Sequence, residues 1–297
     1  MHDEPRPPRR GFFGTLTRIG LLRIFVMGFV LVTGVGLTMA FHGEYSRHRM
    51  ALPYSPIIDY AVTGLLCLGL VGLYALLVRL FERRWPTEAR PAPGLALLGL
   101  AIGFGLFCAV YAVLSVMGVA HFGGINGFAG IGTVFLMALI SGFGEELVFR
   151  GVVFRVLEDS LGTTLALVLS AALFGLMHGA NPGATAVSTL AIAVEAGGLL
   201  AAAYVWSRSL WLVIGLHCAW NFTEGGVFGA AVSGGAMKGV LNFPLSAKAP
   251  ILLTGGQFGP EASVVAMIIC TSLAAVFVVL AVKRGEWRGL RFKPLLG

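Results

Sequence analysis

Three short stretches of this 297-residue chain set polar, chemistry-capable side chains into otherwise apolar sequence. Gly144-Glu145-Glu146-Leu147-Val148-Phe149-Arg150-Gly151 holds two adjacent carboxylates and a guanidinium. Phe174-Gly175-Leu176-Met177-His178 and His217-Cys218-Ala219-Trp220-Asn221 add two imidazoles and an amide. On a helix, Glu146 and Arg150 lie four apart in the favourable acid-before-base order and can pair. Glu145 lies about 100° further round and is left to face something else. Phe174 shares a face with His178, as His217 does with Asn221. Such a set suits peptide hydrolysis, with a carboxylate to take a proton from water and N–H donors to hold the resulting oxyanion. Glu145, His178 and His217 are also enough to hold a zinc ion with an open water position. No HExxH is present and Asn is a poor zinc ligand, so the residues alone lean towards metal-free chemistry.

The elements that must position these residues are membrane helices. Hydrophobic residues make up 57% of the chain, charged residues only 12%, and mean hydropathy is +0.87. Soluble domains carry about 45–50% apolar and about 25% charged residues, so a soluble fold would lack the polar surface to cover itself. A spanning helix needs about 20 mostly apolar residues. That ruler places spans at 20–41, 57–80, 95–119, 128–157, 162–180, 184–206, 209–229 and 261–282. The breaks carry turn residues: Pro53 and Pro56, Pro86 with Pro91 and Pro93, Gly123-Gly124, Pro182-Gly183, and a glycine-rich loop over 225–260. Pro260 and Glu261 read as the start and first turn of the last span. The expectation is an all-α polytopic membrane protein of about eight helices with an intramembrane cavity. It comprises a segment 1–19, one membrane domain 20–283 with its core at 128–230, and a basic tail 284–297. The first span has basic residues before it, yet seven more follow, which favours an uncleaved anchor over a signal peptide. Cys67, Cys108, Cys218 and Cys270 all lie in apolar runs without paired spacing and read as buried small hydrophobes.

Basic residues favour the cytoplasmic side. With eight spans and a cytoplasmic start, 17 of the 21 Lys and Arg fall inside: Arg6, Arg9, Arg10, Arg18, Arg23, Arg79, Arg83, Arg84, Arg90, Arg150, Arg155, Arg208, Lys283, Arg284, Arg288, Arg291 and Lys293. The other four, Arg47, Arg49, Lys238 and Lys248, fall outside. Both termini are therefore expected in the cytoplasm, the protein resting in a bacterial inner membrane. Topology accounts for the net charge of +7, and scattered basic residues without an aromatic platform exclude a nucleic-acid partner. A charged side chain at mid-bilayer costs about +2.5 to +3.5 kcal/mol on insertion scales. Glu145, Glu146, Arg150, Glu195, His178, His217 and Asn221 must then face the interior, pair, or work. Singly, each has a bland reading: a helix-locking ion pair, a satisfied core histidine, or, for Glu195 beside Gly197 and Gly198, a packing-site hydrogen bonder.

Taken in order, EExxxR, FxxxH and HxxxN resemble the CPBP family of intramembrane proteases, which includes type II CAAX prenyl endopeptidases and bacteriocin-processing and self-immunity proteins. The resemblance covers roughly 130–230 and includes the Ser207–Phe222 neighbourhood of the third motif. It implies a helical core with its site in the bilayer and endopeptidase activity on membrane-associated peptides or proteins. It assigns Glu145 to water activation, His178 to holding that water, and His217 and Asn221 to the oxyanion, with Glu146 and Arg150 supporting. The family is often called a metalloprotease, so a divalent metal, zinc, held by Glu145, His178 and His217 is the cofactor it implies. Two other classes compete: a catalytically silent scaffold or immunity protein of the same fold, and a proton-coupled transporter, against which the lack of internal repeats argues. One tension stands in the span limits. Counted from the cytoplasmic ends, Glu145, His178 and His217 differ in depth by roughly 12 Å at about 1.5 Å per residue, which tilt or offset ends must absorb.

Overall fold

The structure is a computed structural model that describes residues 20–48 and 56–290, with the side chains of 42, 45–48 and 56 left aside. The segment 1–19 with its arginines, Arg49, Pro53, Arg291 and Lys293 lie outside the described residues, as does the side chain of Arg47. All eight apolar segments are helical. They are α1 (Gly20–His48), α2 (Pro56–Glu82), α3 (Pro93–Val116), α4 (Ile131–Leu161), α5 (Thr163–His178), α6 (Ala186–Ser207), α7 (Leu210–Asn221) and α8 (Val264–Lys283). Strands are confined, among the described residues, to one two-residue pair, β1 (Gly124–Ile125) antiparallel to β2 (Leu241–Asn242). The fold is an all-α polytopic membrane protein.

Six of these helices are long and apolar enough by themselves to cross a membrane. The two that are not, α5 and α7, carry His178, His217 and Asn221. Helix α5 is apolar but 16 residues long. Helix α7 has 12 residues and continues as a π-helical stretch, Phe222–Val227, that contains Thr223 and Glu224. Site residues have replaced apolar ones there, and α7 survives because the other helices enclose it: of Leu210 to Trp220 all but Trp211 are buried.

Local sequence sets the ends. Gly162 takes φ 85°, a left-handed conformation that breaks α4 from α5. Thr185 caps α6 in a reciprocal pair with Ser188, Ser209 caps α7 at Trp211 N, and Ser263 caps α8 at Ala266 N. Pro260–Ala262 is a separate 3₁₀ turn ahead of α8, so Glu261 sits before the last span and not in its first turn, as the sequence reading had it. The reason is the Ser263 cap: its extended backbone ends the turn and restarts the helix.

Helices α3 and α7 form the closest seam of the bundle. A Cβ on Gly99 would lie 2.1 Å from Leu212 O, on Gly103 2.2 Å from Leu216 O, and on Gly215 2.4 Å from Ala96 O. Only hydrogen fits at these positions, and close backbone approach of this kind substitutes in lipid for the missing hydrophobic drive between helices. One end of the bundle gathers charge. Arg155 pairs with Glu82, Arg84 with Glu88 at 2.6 Å, Arg208 with Glu158 at 2.6 Å and Glu286 at 3.0 Å, and Arg288 with Asp159 at 2.7 Å. These residues come from the ends of α2, α4 and α6 and the segment after α8. Lys238, by contrast, sits beside Gly130 at the start of α4, the opposite end.

Candidate active site

The three motifs meet. Glu145 and Glu146 lie on α4, His178 ends α5, and His217 and Asn221 lie on α7. The anticipated depth mismatch is absorbed by offset ends, because α7 starts only two turns before His217.

Glu146 is fully buried, and its Oε1 accepts from Arg150 Nη1 at 2.9 Å and bonds His217 Nδ1 at 2.8 Å. The pairing with Arg150 follows from the i,i+4 spacing; the bond to His217 crosses between helices and has no local signature. Arg150 is 1% exposed. Its Nη2 donates to Ala196 O and Gly197 O, each at 3.0 Å, and its guanidinium lies 4.9 Å from the centre of the Phe174 ring. One cation thus ties α4 to α6 and α5. Phe174 also stacks on His178 at 4.6 Å and meets the His217 ring edge-on at 6.2 Å, so it seats both imidazoles.

Glu145 is the exception. About a third of its side chain is exposed, and it turns away from Arg150 towards the two histidines. His178 Nε2 lies 3.7 Å and His217 Nε2 4.0 Å from Glu145 Oε2. Both gaps exceed a direct hydrogen bond and match the span that one water bridges. Oε2 is buried and has no hydrogen-bond partner among the described residues. The histidine tautomers are constrained from behind. His178 Nδ1 is 2.8 Å from Phe174 O, which only accepts, so Nδ1 donates and Nε2 of the neutral ring presents a lone pair to Glu145. As placed, Glu145, His178 and His217 do not make a ligand set. Among the described residues no group of three His, Cys, Asp or Glu side chains is disposed to hold a metal ion.

A cavity of about 470 Å³ opens onto this centre. Thr133, Ser141, Glu145, His178, Asn181, Asn221 and Ser233 are its polar lining, and Met39, Met137 and Met237 are prominent among the apolar. A second cavity of about 250 Å³, between Val32 and Val35 of α1 and Met177 of α5, shares Glu145, His178 and Asn181. The carboxylate therefore stands where two apolar chambers join.

Several site residues escaped the sequence reading. Ser141 Oγ accepts from Asn221 Nδ2 at 2.9 Å; it lies one turn before Glu145, and that spacing was the available signal. Glu224 is fully buried inside a predicted span, where its charge alone should have marked it. Glu261 accepts from Ser233 N at 2.6 Å and Oγ at 2.8 Å and from Trp220 Nε1 at 3.3 Å, fixing the loop that roofs the larger cavity. Glu195 is also fully buried, and neither of its oxygens has a hydrogen-bond partner among the described residues. Three π-helical stretches, Leu147–Phe154, Ala193–Gly197 and Phe222–Val227, adjoin the Glu145-Glu146 pair, contain Glu195, and follow Asn221. Such winding concentrates at functional sites because it re-aims side chains and frees carbonyls, here those of Ala196 and Gly197 that receive Arg150.

Residues 127–223, about a third of the chain, match the family model described as type II CAAX prenyl endopeptidase Rce1-like. The match runs from just before α4 to just past Asn221 and takes in all six site residues. The resemblance read from the three motifs holds over this stretch, which is similar to the CAAX protease family. No curated protein and no solved structure matched the chain.

Proposed function

We propose that the protein is an intramembrane endopeptidase in which Glu145 activates water against a peptide bond of a membrane-associated peptide or protein. The observation that carries this reading is the buried, unpartnered Oε2 of Glu145 facing two imidazole Nε2 atoms at 3.7 and 4.0 Å. A water in that gap gives one proton to the carboxylate and its other hydrogen bond to His178 Nε2. Its oxygen attacks the carbonyl carbon as Glu145 takes the proton. His217, held through Nδ1 by Glu146, presents an Nε2–H to the oxyanion in its imidazolium form. Asn221 Nδ2 keeps one hydrogen for the same oxygen while the other goes to Ser141. As the tetrahedral intermediate collapses, Glu145 returns its proton to the departing amine and the C–N bond breaks. The two chambers on either side of Glu145 suit the two sides of the scissile bond.

The family match and the six long apolar helices support this reading. So does the basic end of the bundle, which favours both termini in the cytoplasm of a bacterial cell and an inner-membrane location. The alternative raised by the same side chains is zinc, for which Glu145, His178 and His217 would have to shift to become ligands; no step above is routed through it. The test compares peptides released from whole membranes carrying wild type or Glu145→Gln. Peptides present with wild type and absent with the variant are expected; identical peptide sets from both would overturn the proposal.

A further inference from the structure

At its charged end the bundle carries basic side chains whose circumstances divide sharply. Arg84, Arg155, Arg208 and Arg288 each meet a carboxylate. Arg79, Arg83 and Arg90, like Lys283 and Arg284 at the end of α8, have no carboxylate partner among the described residues, and all are exposed. Arg79 and Arg90 meet at Trp85. Arg79 lies over the Trp85 ring at 5.2 Å and donates to Arg83 O at 3.3 Å. Arg90 and Trp85 line one mouth of a groove of about 440 Å³, whose inner wall is Val71, Gly72 and Ala75 of α2 and whose floor includes Pro86 and Ala89. Trp85 is 69% exposed just past the end of α2, where an indole suits a headgroup layer. Val71 lies eleven residues before Glu82, the last of α2, so the groove reaches roughly 16 Å into the apolar layer at about 1.5 Å per residue. That is about half of a 30 Å hydrocarbon core.

From this juxtaposition, the unpaired guanidiniums of Arg79 and Arg90 and an indole at the mouth of an apolar groove one leaflet deep, we infer a binding site for an anionic diacyl phospholipid. Its phosphodiester lies against Arg79 and Arg90, its glycerol against Trp85, and one acyl chain along Val71, Gly72 and Ala75. The charge at the mouth argues for this occupant. A neutral lipid leaves both cations unmatched beside an apolar surface, and a helix from another protein would need acidic residues at that depth. Basic pockets of this kind between membrane helices hold anionic headgroups, with about 1 kcal/mol per Lys or Arg near the surface. The site is independent of the peptidase centre, since its residues come from α2 and the turn after it.

The test is native mass spectrometry of full-length protein released from bilayers of equal parts dioleoyl phosphatidylglycerol and dioleoyl phosphatidylcholine. Wild type should retain phosphatidylglycerol over phosphatidylcholine by about thirtyfold, in line with two phosphate-facing arginines. Arg79→Ala with Arg90→Ala should bring the ratio close to one, while Arg79→Lys with Arg90→Lys should keep most of it. Gly72→Leu fills the groove without clash, since a Cβ there meets nothing within 4 Å, and should lower retention of both lipids. Lys238→Ala with Lys248→Ala removes the same charge at the other end and should leave the ratio unchanged. Equal retention by wild type, an unchanged ratio in the double alanine variant, or loss of preference in the lysine control would each overturn the site. Release of the lipid by millimolar inorganic phosphate would identify a free-phosphate site instead and overturn the lipid assignment.

Discussion

Replacing Glu146 by Gln should destabilise the protein, whereas the same change at Glu145 should not. Glu146 Oε1 carries two bonds, to Arg150 Nη1 and His217 Nδ1, in a place with no solvent access. Glutamine keeps one acceptor oxygen of similar shape and removes the charge, leaving the guanidinium of Arg150 buried with carbonyls and a phenyl ring alone. Stranding one partner of a buried pair costs about 3–5 kcal/mol. At the lower slope of about 2 °C per kcal/mol that suits longer chains, this lowers the unfolding temperature by roughly 6–10 °C. Glu145 is partly exposed, and its Oε2 has no hydrogen-bond partner among the described residues, so Glu145→Gln should change stability by under about 1 kcal/mol. Thermal unfolding of both variants in one detergent, followed by tryptophan emission, measures the contrast. A Glu145→Gln loss as large as that of Glu146→Gln, or a Glu146→Gln protein as stable as wild type, would refute the separation of a working carboxylate from a holding one.

Against a peptide substrate recovered by the membrane comparison, His217→Ala and Asn221→Ala should each lower kcat by about 10²–10³ with little change in KM, as loss of an oxyanion donor does. Ser141→Ala should cost about tenfold, because it frees Asn221 to turn without removing the donor; a loss matching Asn221→Ala would make Ser141 part of the chemistry. For metal, elemental analysis of active, chelator-treated enzyme should show full activity with negligible zinc, and stoichiometric zinc lost together with activity would sink the water-only scheme. At the charged end, burial pushes the Glu88 carboxyl up, but hydrogen bonds from Arg84 and the field of Arg155 outweigh it and hold the group below its ordinary 4.5. A depressed folded pKa gives stability that is present above the unfolded value and lost as pH falls through the folded one. Unfolding temperature should therefore drop below about pH 4.5, and Glu88→Gln should flatten that part of the profile; an unaltered acid limb would exclude the pair as its source. Orientation is read by a cysteine at exposed Ala247, which an impermeant maleimide should label from the external side; labelling only from the cytoplasmic side would invert the assignment.

Much of this site is legible in the sequence because helices make spacing geometric. The Glu146–Arg150 pair, the shared face of Phe174 and His178, and the divergence of Glu145 all follow from 3.6 residues per turn. The Glu146–His217 bond does not, since it depends on how far α4 and α7 approach, and that distance is set at Gly142, where a Cβ would lie 2.4 Å from Cys218 Sγ. Glu261 was hidden differently. Its Gly-Pro-Glu context is a true turn signal, and nothing local reveals that the turn folds inward to hold Ser233. The spans themselves were legible within a few residues; what hydropathy does not show is that α7 is wound as α-helix only to Asn221 and as a π stretch from Phe222 to Val227.

The π-helical turns have a consequence for insertions and deletions. A helix tolerates a one-residue deletion poorly, because every side chain beyond it rotates by about 100°. In Leu147–Phe154 the wide winding already accommodates an extra residue, so a deletion there returns the backbone to an unstrained α-helix and costs few hydrogen bonds. The damage is local. Glu145, Glu146 and the residues beyond the stretch keep their facing, while those inside it are re-aimed and the guanidinium of Arg150 leaves the carbonyls of Ala196 and Gly197. Each of these turns is thus a point where length and angular alignment are uncoupled, and where a protein that still inserts can lose its centre through the removal of a single codon.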